Sequence, residues 1–167
     1  DINPYIFEGK AIFVIIGSYC VNCLSSNLIR IYEPDVDSRD ALVLVHGFAS
    51  NPQTFDLILK DIELTKQPWQ AWSFGYPTHR RIKTNAIEFA DHLQAKNEEY
   101  DYLYIAAHSM GGLVTQQALY HAYEENKKIP GRYSFINKVK KVILVGAPNK
   151  GTPAAGLLID LNNYLAN

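Results

Sequence analysis

Residues 106–112 read Ala-Ala-His-Ser-Met-Gly-Gly, and no other stretch of the 167-residue chain says more about its fold. They begin at the end of the apolar run Tyr102–Ala107, which suits a buried strand, and they lead into a helical pattern. A serine between a buried strand and a helix start lies in a tight, strained turn, and small residues on either side let the two elements approach closely. Ala107 and Gly111 are these small residues. The turn lifts the Ser109 hydroxyl above the sheet.

A serine in this position is a candidate nucleophile. The helix start below it supplies free N–H groups and a partial positive charge, and both favour an oxyanion beside the hydroxyl. This is the small-x-Ser-x-small pattern of a nucleophile elbow. The alternative is a plain turn in which Ser109 caps the helix. We expect His108 to pack or orient rather than to act as the general base, because neighbouring side chains on a sharp turn diverge.

A second informative stretch is Leu44-Val-His-Gly-Phe-Ala49, which ends another apolar strand. Acyl transfer through a serine builds an oxyanion that two N–H donors hold, and losing one donor costs about 2.7–4 kcal/mol. Met110, the residue after the serine, is one expected donor. We expect the Phe48 N–H, pointing inward, to be the other. His46 and Gly47 are expected to support the loop, and Gly47 is expected to let it bend without a clash. The alternative is that His46 and Gly47 are an ordinary strand exit.

Strand and helix patterns alternate along most of the chain. This alternation predicts an α/β fold with a mostly parallel sheet and helices on both faces. Reactive groups in such sheets lie beyond the carboxyl ends of the strands, which is where the unusual residues of this sequence occur. The predicted strands are Leu28–Tyr32, Ala41–Val45, Trp69–Tyr76, Tyr102–Ala107 and Val139–Val145.

Three helices are predicted between these strands. The first opens at Asn51 and Pro52, the second is capped by Thr84, and the third runs from the serine to about Glu125. Apolar side chains at helical spacing are expected to face the sheet. They are Phe55, Ile58, Leu59 and Ile62 in the first helix, and Ala86, Ala90 and Leu93 in the second.

These stretches together resemble the α/β-hydrolase superfamily, particularly its lipase and esterase branch. The resemblance covers about residues 28–153 and implies that the predicted strands are the family's second to sixth. It also implies that Ser109 is the nucleophile and that Phe48 and Met110 give the oxyanion-hole amides. Three segments carry the resemblance: Val43-Leu-Val-His-Gly-Phe48, Ala107-His-Ser-Met-Gly-Gly112 and Val145-Gly-Ala-Pro-Asn-Lys-Gly-Thr-Pro153.

The resemblance implies a serine hydrolase that cleaves carboxylic esters, lipids among them, through an acyl-enzyme on Ser109. The family places an acid and then a histidine after its sixth strand, where this sequence has only Asp160 and no histidine beyond His121. The residues after Pro153 are too few for two more strand–helix units of about 30 residues each. We therefore expect the catalytic acid and histidine outside this chain. An inactive remnant, a non-catalytic binding protein of the same fold and an acyltransferase are the alternatives.

Charge balance and the absence of cofactor motifs limit the classes of binding partner that we expect. The 16 basic and 17 acidic residues balance to a net charge of −1, so nucleic acid is not an expected partner. No nucleotide or metal motif occurs, and Cys20-x-x-Cys23 lacks further ligands, so we expect no cofactor and no metal. An ester or lipid substrate is the expected partner. Lys138, Lys140 and Lys141 are expected to be solvated, and a transient membrane-surface contact is their alternative role.

The expected organisation is an N-terminal segment, residues 1–27, followed by the hydrolase core, residues 28–167. The apolar stretch Ala11–Gly17 suits a buried strand. A signal-like or membrane-facing piece is the alternative, although its flank is not basic.

Overall fold

The computed structural model describes residues 6–7, 10–11, 25–48, 50 and 52–151. A short antiparallel pair, β1 (Ile6–Phe7) and β2 (Lys10–Ala11), lies near the N-terminus. The main sheet contains β3 (Asn27–Tyr32), β4 (Asp40–Val45), β5 (Gln70–Gly75), β6 (Tyr102–His108) and β7 (Val139–Val145). Its strand order is β3-β5-β4-β6-β7.

The sheet is mostly parallel, as the sequence predicts. Strand β4 lies between β5 and β6 and is parallel to both, and β7 is parallel to β6. Only β3 runs antiparallel to its neighbour, β5. Because four of the strands run in one direction, the residues that follow them meet at one edge of the sheet. This edge carries the stretches that begin at His46, Tyr76, Ser109 and Gly146.

Helices cover both faces of the sheet, which confirms the predicted α/β fold. The helices are α1 (Asp56–Leu64), α2 (Ile82–Ala95) and α3 (Met110–Lys128). On one face, α2 and α3 pack against alternate residues of β4, among them Val43 and Val45. On the other face, Leu42 and Leu44 pack against Phe55 and Ile62. The alternation of side chains along β4 therefore divides the core into two layers.

Of two predicted helix starts, the one at Pro52 is correct in position but not in helix type, and the one at Thr84 is wrong. Pro52–Phe55 forms a 3₁₀ turn, and α1 begins only at Asp56. Thr84 lies inside α2, which begins at Ile82. The Arg81 carbonyl accepts from the N–H groups of Thr84 and Asn85 at 3.0 and 3.2 Å, so Arg81 occupies the cap position.

The predicted apolar stripe of the first helix is correct only in part. Phe55 and Ile62 are buried, and Leu59 packs at the edge of their cluster. Ile58 is 45% exposed. A nine-residue helix contacts the sheet along a narrow line, so one position to the side is enough to expose a residue.

Several predictions lie outside the described residues. They concern most of the apolar stretch Ala11–Gly17 and the pair Cys20 and Cys23. The boundary between residues 1–27 and 28–167 stays a prediction. None of the helices that the structure describes is long and apolar enough to cross a bilayer.

Candidate active site

Ser109 occupies the junction between β6 and α3 in a rare backbone conformation. Its φ is 52° and its ψ is −123°. Among the described non-glycine residues, only Lys66 also has a positive φ. Such a conformation costs about 1–3 kcal/mol and persists only where the surroundings fix it. Here the Ser109 N–H donates to the Val145 carbonyl at 2.8 Å, and the Gly112 N–H donates to the Ser109 carbonyl at 3.0 Å.

Gly111 lets the first turn of α3 lie against the end of β4. A Cβ on Gly111 would be 2.5 Å from the Val45 carbonyl oxygen and closer still to that of His46. Both oxygens belong to the backbone and cannot move aside cheaply. Gly111 is therefore needed for the close contact between α3 and the neighbouring strand, β4, as well as for the turn itself.

Gly47 avoids a clash between the loop after β4 and the turn at Ser109. A Cβ on Gly47 would be 2.9 Å from Ser109 Cβ and 3.1 Å from His108 Nδ1. The glycines with positive φ in the described part of the chain are Gly131, Gly146 and Gly151. Gly47 is not among them, so it supplies space for the close approach of the β4 loop to Ser109 instead of an unusual backbone conformation.

His46 is enclosed beneath this loop. It is 3% exposed, and its ring stacks on Tyr76 with centroids 4.5 Å apart. Its Nδ1 lies 2.9 Å from the Gly47 carbonyl oxygen, and the Tyr76 hydroxyl donates to the His46 carbonyl at 2.6 Å. Burial lowers the pKa of His46, outweighing the opposite effect of the Gly47 carbonyl, so the ring is neutral at neutral pH.

Tyr76 is a site neighbour that the sequence interpretation missed. It is 6% exposed and directly follows β5. The available signal was its place at the carboxyl end of a predicted strand beside the one that leads to His46. Desolvation raises the pKa of Tyr76 strongly, so its hydroxyl stays protonated and remains a donor.

The two expected oxyanion donors, Phe48 and Met110, come from different elements. Phe48 follows β4 and is 40% exposed, while Met110 is the first residue of α3 and packs against the core. Within the described ranges, neither backbone N–H donates to an acceptor. For Met110 this follows from its place at the helix start, where N–H groups have no partner within the helix.

None of the five histidines hydrogen-bonds to the Ser109 hydroxyl. His92 Nε2 lies 3.1 Å from the Ser26 carbonyl oxygen, and His121 Nε2 lies 3.3 Å from the Tyr133 hydroxyl. His79 is exposed in the turn before α2. His108 Nδ1 is buried without a partner among the described atoms. The serine therefore stands without a base in this part of the chain.

The segment after β7 packs on α3. A Cβ on Gly112 would be 2.6 Å from Ala147 Cβ. Gln116 Nε2 donates to Asn149 Oδ1 at 2.8 Å and to the Gly112 carbonyl at 3.0 Å. Small residues at Gly112 and Ala147 thus bring a third strand end close to Ser109. The described residues contain no group of three His, Cys, Asp or Glu side chains placed to hold a metal ion.

The three lysines near β7 are not equivalent. Lys138 Nζ donates to the Asn97 and Tyr100 carbonyls at 2.6 and 2.8 Å. Its ammonium group is therefore bound to the backbone, and the expectation that it is solvated is wrong. Lys140 lies over the Tyr102 ring, 4.5 Å from its centroid. A transient membrane-surface contact stays a prediction.

A family model described as "Conditioned medium factor C-terminal domain" matches residues 37–167. The chain belongs to this conditioned medium factor C-terminal domain family. The match includes the strand ends at His46 and Ser109 and the segment after β7. No curated protein matches the sequence.

Solved structures with the same fold include lipases and esterases. The mature Bacillus licheniformis lipase BlEst2 superposes with a TM-score of 0.58 at 18% identity, over 81% of this chain and 51% of the lipase. A carboxyl esterase from Bacillus coagulans gives a TM-score of 0.52 at 15% identity, over 84% of this chain and 45% of the esterase. Esterase 2 from Thermogutta terrifontis gives 0.52 at 13% identity, over 74% of this chain and 52% of the esterase.

These similarities show that this member of the conditioned medium factor C-terminal domain family has the α/β-hydrolase fold, as its sequence predicts. At such low identity they show the fold alone. The chain spans about half the length of the solved structures that it matches.

Proposed function

We propose that this chain carries the nucleophile of a serine hydrolase that cleaves carboxylic esters, and that Ser109 is this nucleophile. The observation that carries the proposal is the strained Ser109 backbone, with φ 52° and ψ −123°, at the strand–helix junction. Strain of this kind is kept where surrounding contacts over-determine it, and it clusters at functional sites. The fold shared with lipases and esterases supports the ester-hydrolase class.

In the proposed reaction, Ser109 Oγ attacks the acyl carbon of the ester and loses its proton to a base. The carbonyl π electrons move to oxygen, and the tetrahedral intermediate then expels the alcohol, which takes up that proton. A water molecule attacks the acyl-enzyme in the same way and releases the carboxylic acid and free Ser109. Acyl transfer to another alcohol would differ only in this second attack.

The N–H groups of Phe48 and Met110 are proposed to hold the oxyanion. Their proposed role is supported by three observations: both lack an acceptor among the described residues, the β4 loop approaches Ser109 closely, and Met110 begins α3. The dipole of α3 adds positive potential at the same place. The oxyanion is the charge that forms in the transition state, so these donors act on kcat.

The base and its acid are proposed to come from residues outside this chain. The chain spans about half of the matched lipase, and no histidine here hydrogen-bonds to Ser109. A serine hydroxyl without a base is a weak nucleophile. An oxyanion site and substrate binding alone give only about 10³–10⁴-fold over water.

A non-catalytic binding protein is the second candidate, and the missing base among the described residues is the observation that favours it. In that case the site would hold an ester or lipid without cleaving it. The two candidates differ in one measurable property, which is turnover.

Hydrolysis of short-chain p-nitrophenyl esters by the full-length protein separates these candidates. We expect turnover by the unaltered protein and a loss of at least about a thousandfold in kcat for Ser109→Ala. Ser134→Ala is the matched control, because Ser134 lies away from the site. Its hydroxyl accepts a hydrogen bond from Asn97 Nδ2, with a donor–acceptor distance of 3.0 Å. Turnover that survives Ser109→Ala would contradict the proposal, and binding without turnover would favour the second candidate.

A further inference from the structure

Tyr76 reaches the candidate site from the neighbouring strand. Strand β5 pairs with β4, and Val45 is aligned with Phe74. Two residues after Phe74, just beyond the end of β5, the Tyr76 ring lies 4.5 Å from the His46 ring with an interplanar angle of 14°. Phe74 stacks on the same tyrosine at 5.3 Å. Tyr76 is therefore held by ring contacts that involve both His46 and Phe74.

The Tyr76 hydroxyl fixes the carbonyl of His46. It donates to this oxygen at 2.6 Å, and both residues are buried. The same oxygen faces the first turn of α3 at Gly111. The peptide unit between His46 and Gly47 is thus fixed from both β5 and α3.

The next peptide unit is fixed by His46 itself. The Gly47 carbonyl oxygen can only accept, so His46 Nδ1, 2.9 Å away, carries the proton. This bond holds the Gly47 carbonyl toward the His46 ring. In a trans peptide the carbonyl and the following N–H point in opposite directions. The Phe48 N–H is therefore directed away from the His46 ring.

This second peptide unit adjoins the serine. The position of a Cβ on Gly47 is 2.9 Å from Ser109 Cβ, and the Phe48 N–H has no acceptor among the described residues. We propose that Tyr76 and His46 are positioning residues that orient the Phe48 N–H toward the oxyanion at Ser109. This inference rests on the proposed function, because it presupposes an oxyanion at this place.

The Tyr76 hydroxyl matters here beyond the packing of its ring. A phenylalanine would keep the stacking on His46 and Phe74 but would leave the His46 carbonyl without its donor. The loop would then lose one of the two hydrogen bonds that orient its peptide units. The expected effect is on transition-state stabilisation, and hence on kcat, with little change in KM.

The test compares Tyr76→Phe with Tyr100→Phe in the full-length protein. Tyr100 is a matched control, since it is 1% exposed and its hydroxyl donates to the Leu93 carbonyl at 2.7 Å. Tyr100 precedes the start of β6, whereas Ser109 follows the end of that strand. Both variants remove one buried hydrogen bond to a backbone carbonyl. We expect Tyr76→Phe to lower kcat for p-nitrophenyl esters by about tenfold or more and to keep KM within about twofold. Removing an oxyanion donor altogether lowers kcat by about 10²–10³-fold, and this variant only misorients the donor. Tyr100→Phe should leave both constants unchanged.

A second pair of variants keeps the inference testable if Tyr76→Phe folds poorly. In His46→Asn the side-chain amide offers an N–H close to the position of Nδ1, whereas His46→Leu offers none. We expect the asparagine variant to retain at least about tenfold more kcat than the leucine variant.

The outcomes separate this inference from the proposed function. Equal kcat in Tyr76→Phe and Tyr100→Phe, or in the two His46 variants, would overturn the positioning role while Ser109-dependent hydrolysis stands. A wild-type protein without Ser109-dependent hydrolysis would overturn both.

Discussion

At Ser109, backbone strain and close packing have one origin. The positive φ of this residue is held by hydrogen bonds to Val145 and Gly112 on either side of the turn. The approach of Gly47 and Gly111 leaves no room for a side chain at either position. The turn is thus fixed by the ends of β4 and β7, which are both neighbours of β6.

Gly111→Ala tests this packing. The added methyl group would meet two backbone oxygens, so we expect the free energy of unfolding to fall by about 1–3 kcal/mol, although alanine favours a helix over glycine by about 1 kcal/mol. Chemical denaturation of the full-length protein measures this loss. Gly112→Ala is the comparison, because the nearest atom to its methyl group would be one side-chain carbon, Ala147 Cβ, instead of two backbone oxygens. A larger loss for Gly112→Ala would contradict the proposed contact with β4.

His46 gives a pH dependence whose sign is defined. Burial holds its pKa below the ordinary value of 6.5, so the unfolded chain binds the proton more tightly than the folded chain. The contribution of His46 to stability is therefore complete above about pH 6.5 and is lost as the pH falls through the folded pKa. The slope of unfolding free energy against pH below 6.5 should be smaller in His46→Asn. An unchanged slope would show that His46 is not buried as described.

The sequence predicted the strand–turn–helix geometry around the candidate nucleophile, because this geometry depends on local chain pattern. Ser109 and Gly111 belong to one strand–turn–helix stretch, and their placement follows from it. Tyr76 does not, because its contact with His46 joins residues that are 30 positions apart. The residue that makes Gly47 necessary was not predicted for the same reason, since it is Ser109, which follows another strand.

At the scale of elements, the strands were predicted more accurately than the helix starts. The bounds of β7 agree fully with the predicted strand Val139–Val145. By contrast, Pro52 begins a 3₁₀ turn before α1, and α2 begins before Thr84. Buried strands are recognisable because both faces need apolar residues. A helix start depends on which carbonyl the entering chain presents, and at α2 this is the carbonyl of Arg81.

The α1 layer gives a prediction at this scale. Ile62 is 4% exposed and packs with the second face of the sheet, while Ile58 is 45% exposed. We expect Ile62→Ala to lower the free energy of unfolding by about 2–5 kcal/mol. Ile58→Ala on the same helix should cost less than about 1 kcal/mol. Denaturation of the two variants checks the difference, and equal losses would mean that α1 packs on the sheet through a different face.

For the whole molecule, the alternation of strands and helices was sufficient to predict an α/β fold with a mostly parallel sheet. The resemblance of three sequence segments implied that this fold is the α/β-hydrolase fold. It did not predict how the surface divides between buried and exposed apolar residues. Ile143, Leu144 and Val145 of β7 are 48%, 38% and 53% exposed, although their sequence reads as a buried strand. Within the described residues β7 pairs only with β6, so one side and part of one face stay uncovered.

The proposed catalytic groups come from two parts of the full-length protein. This chain is proposed to supply the nucleophile and the oxyanion donors, and the base and acid are proposed to come from residues outside it. A hydroxyl activated in this way reacts with a fluorophosphonate, whereas an ordinary serine does not.

Peptide mass spectrometry of the full-length protein after fluorophosphonate treatment measures this directly. We predict a single adduct, on the peptide that contains Ser109, and its complete loss in Ser109→Ala. Absence of an adduct from the folded wild-type protein, or an adduct that persists in Ser109→Ala, would contradict the assignment of Ser109 as the nucleophile.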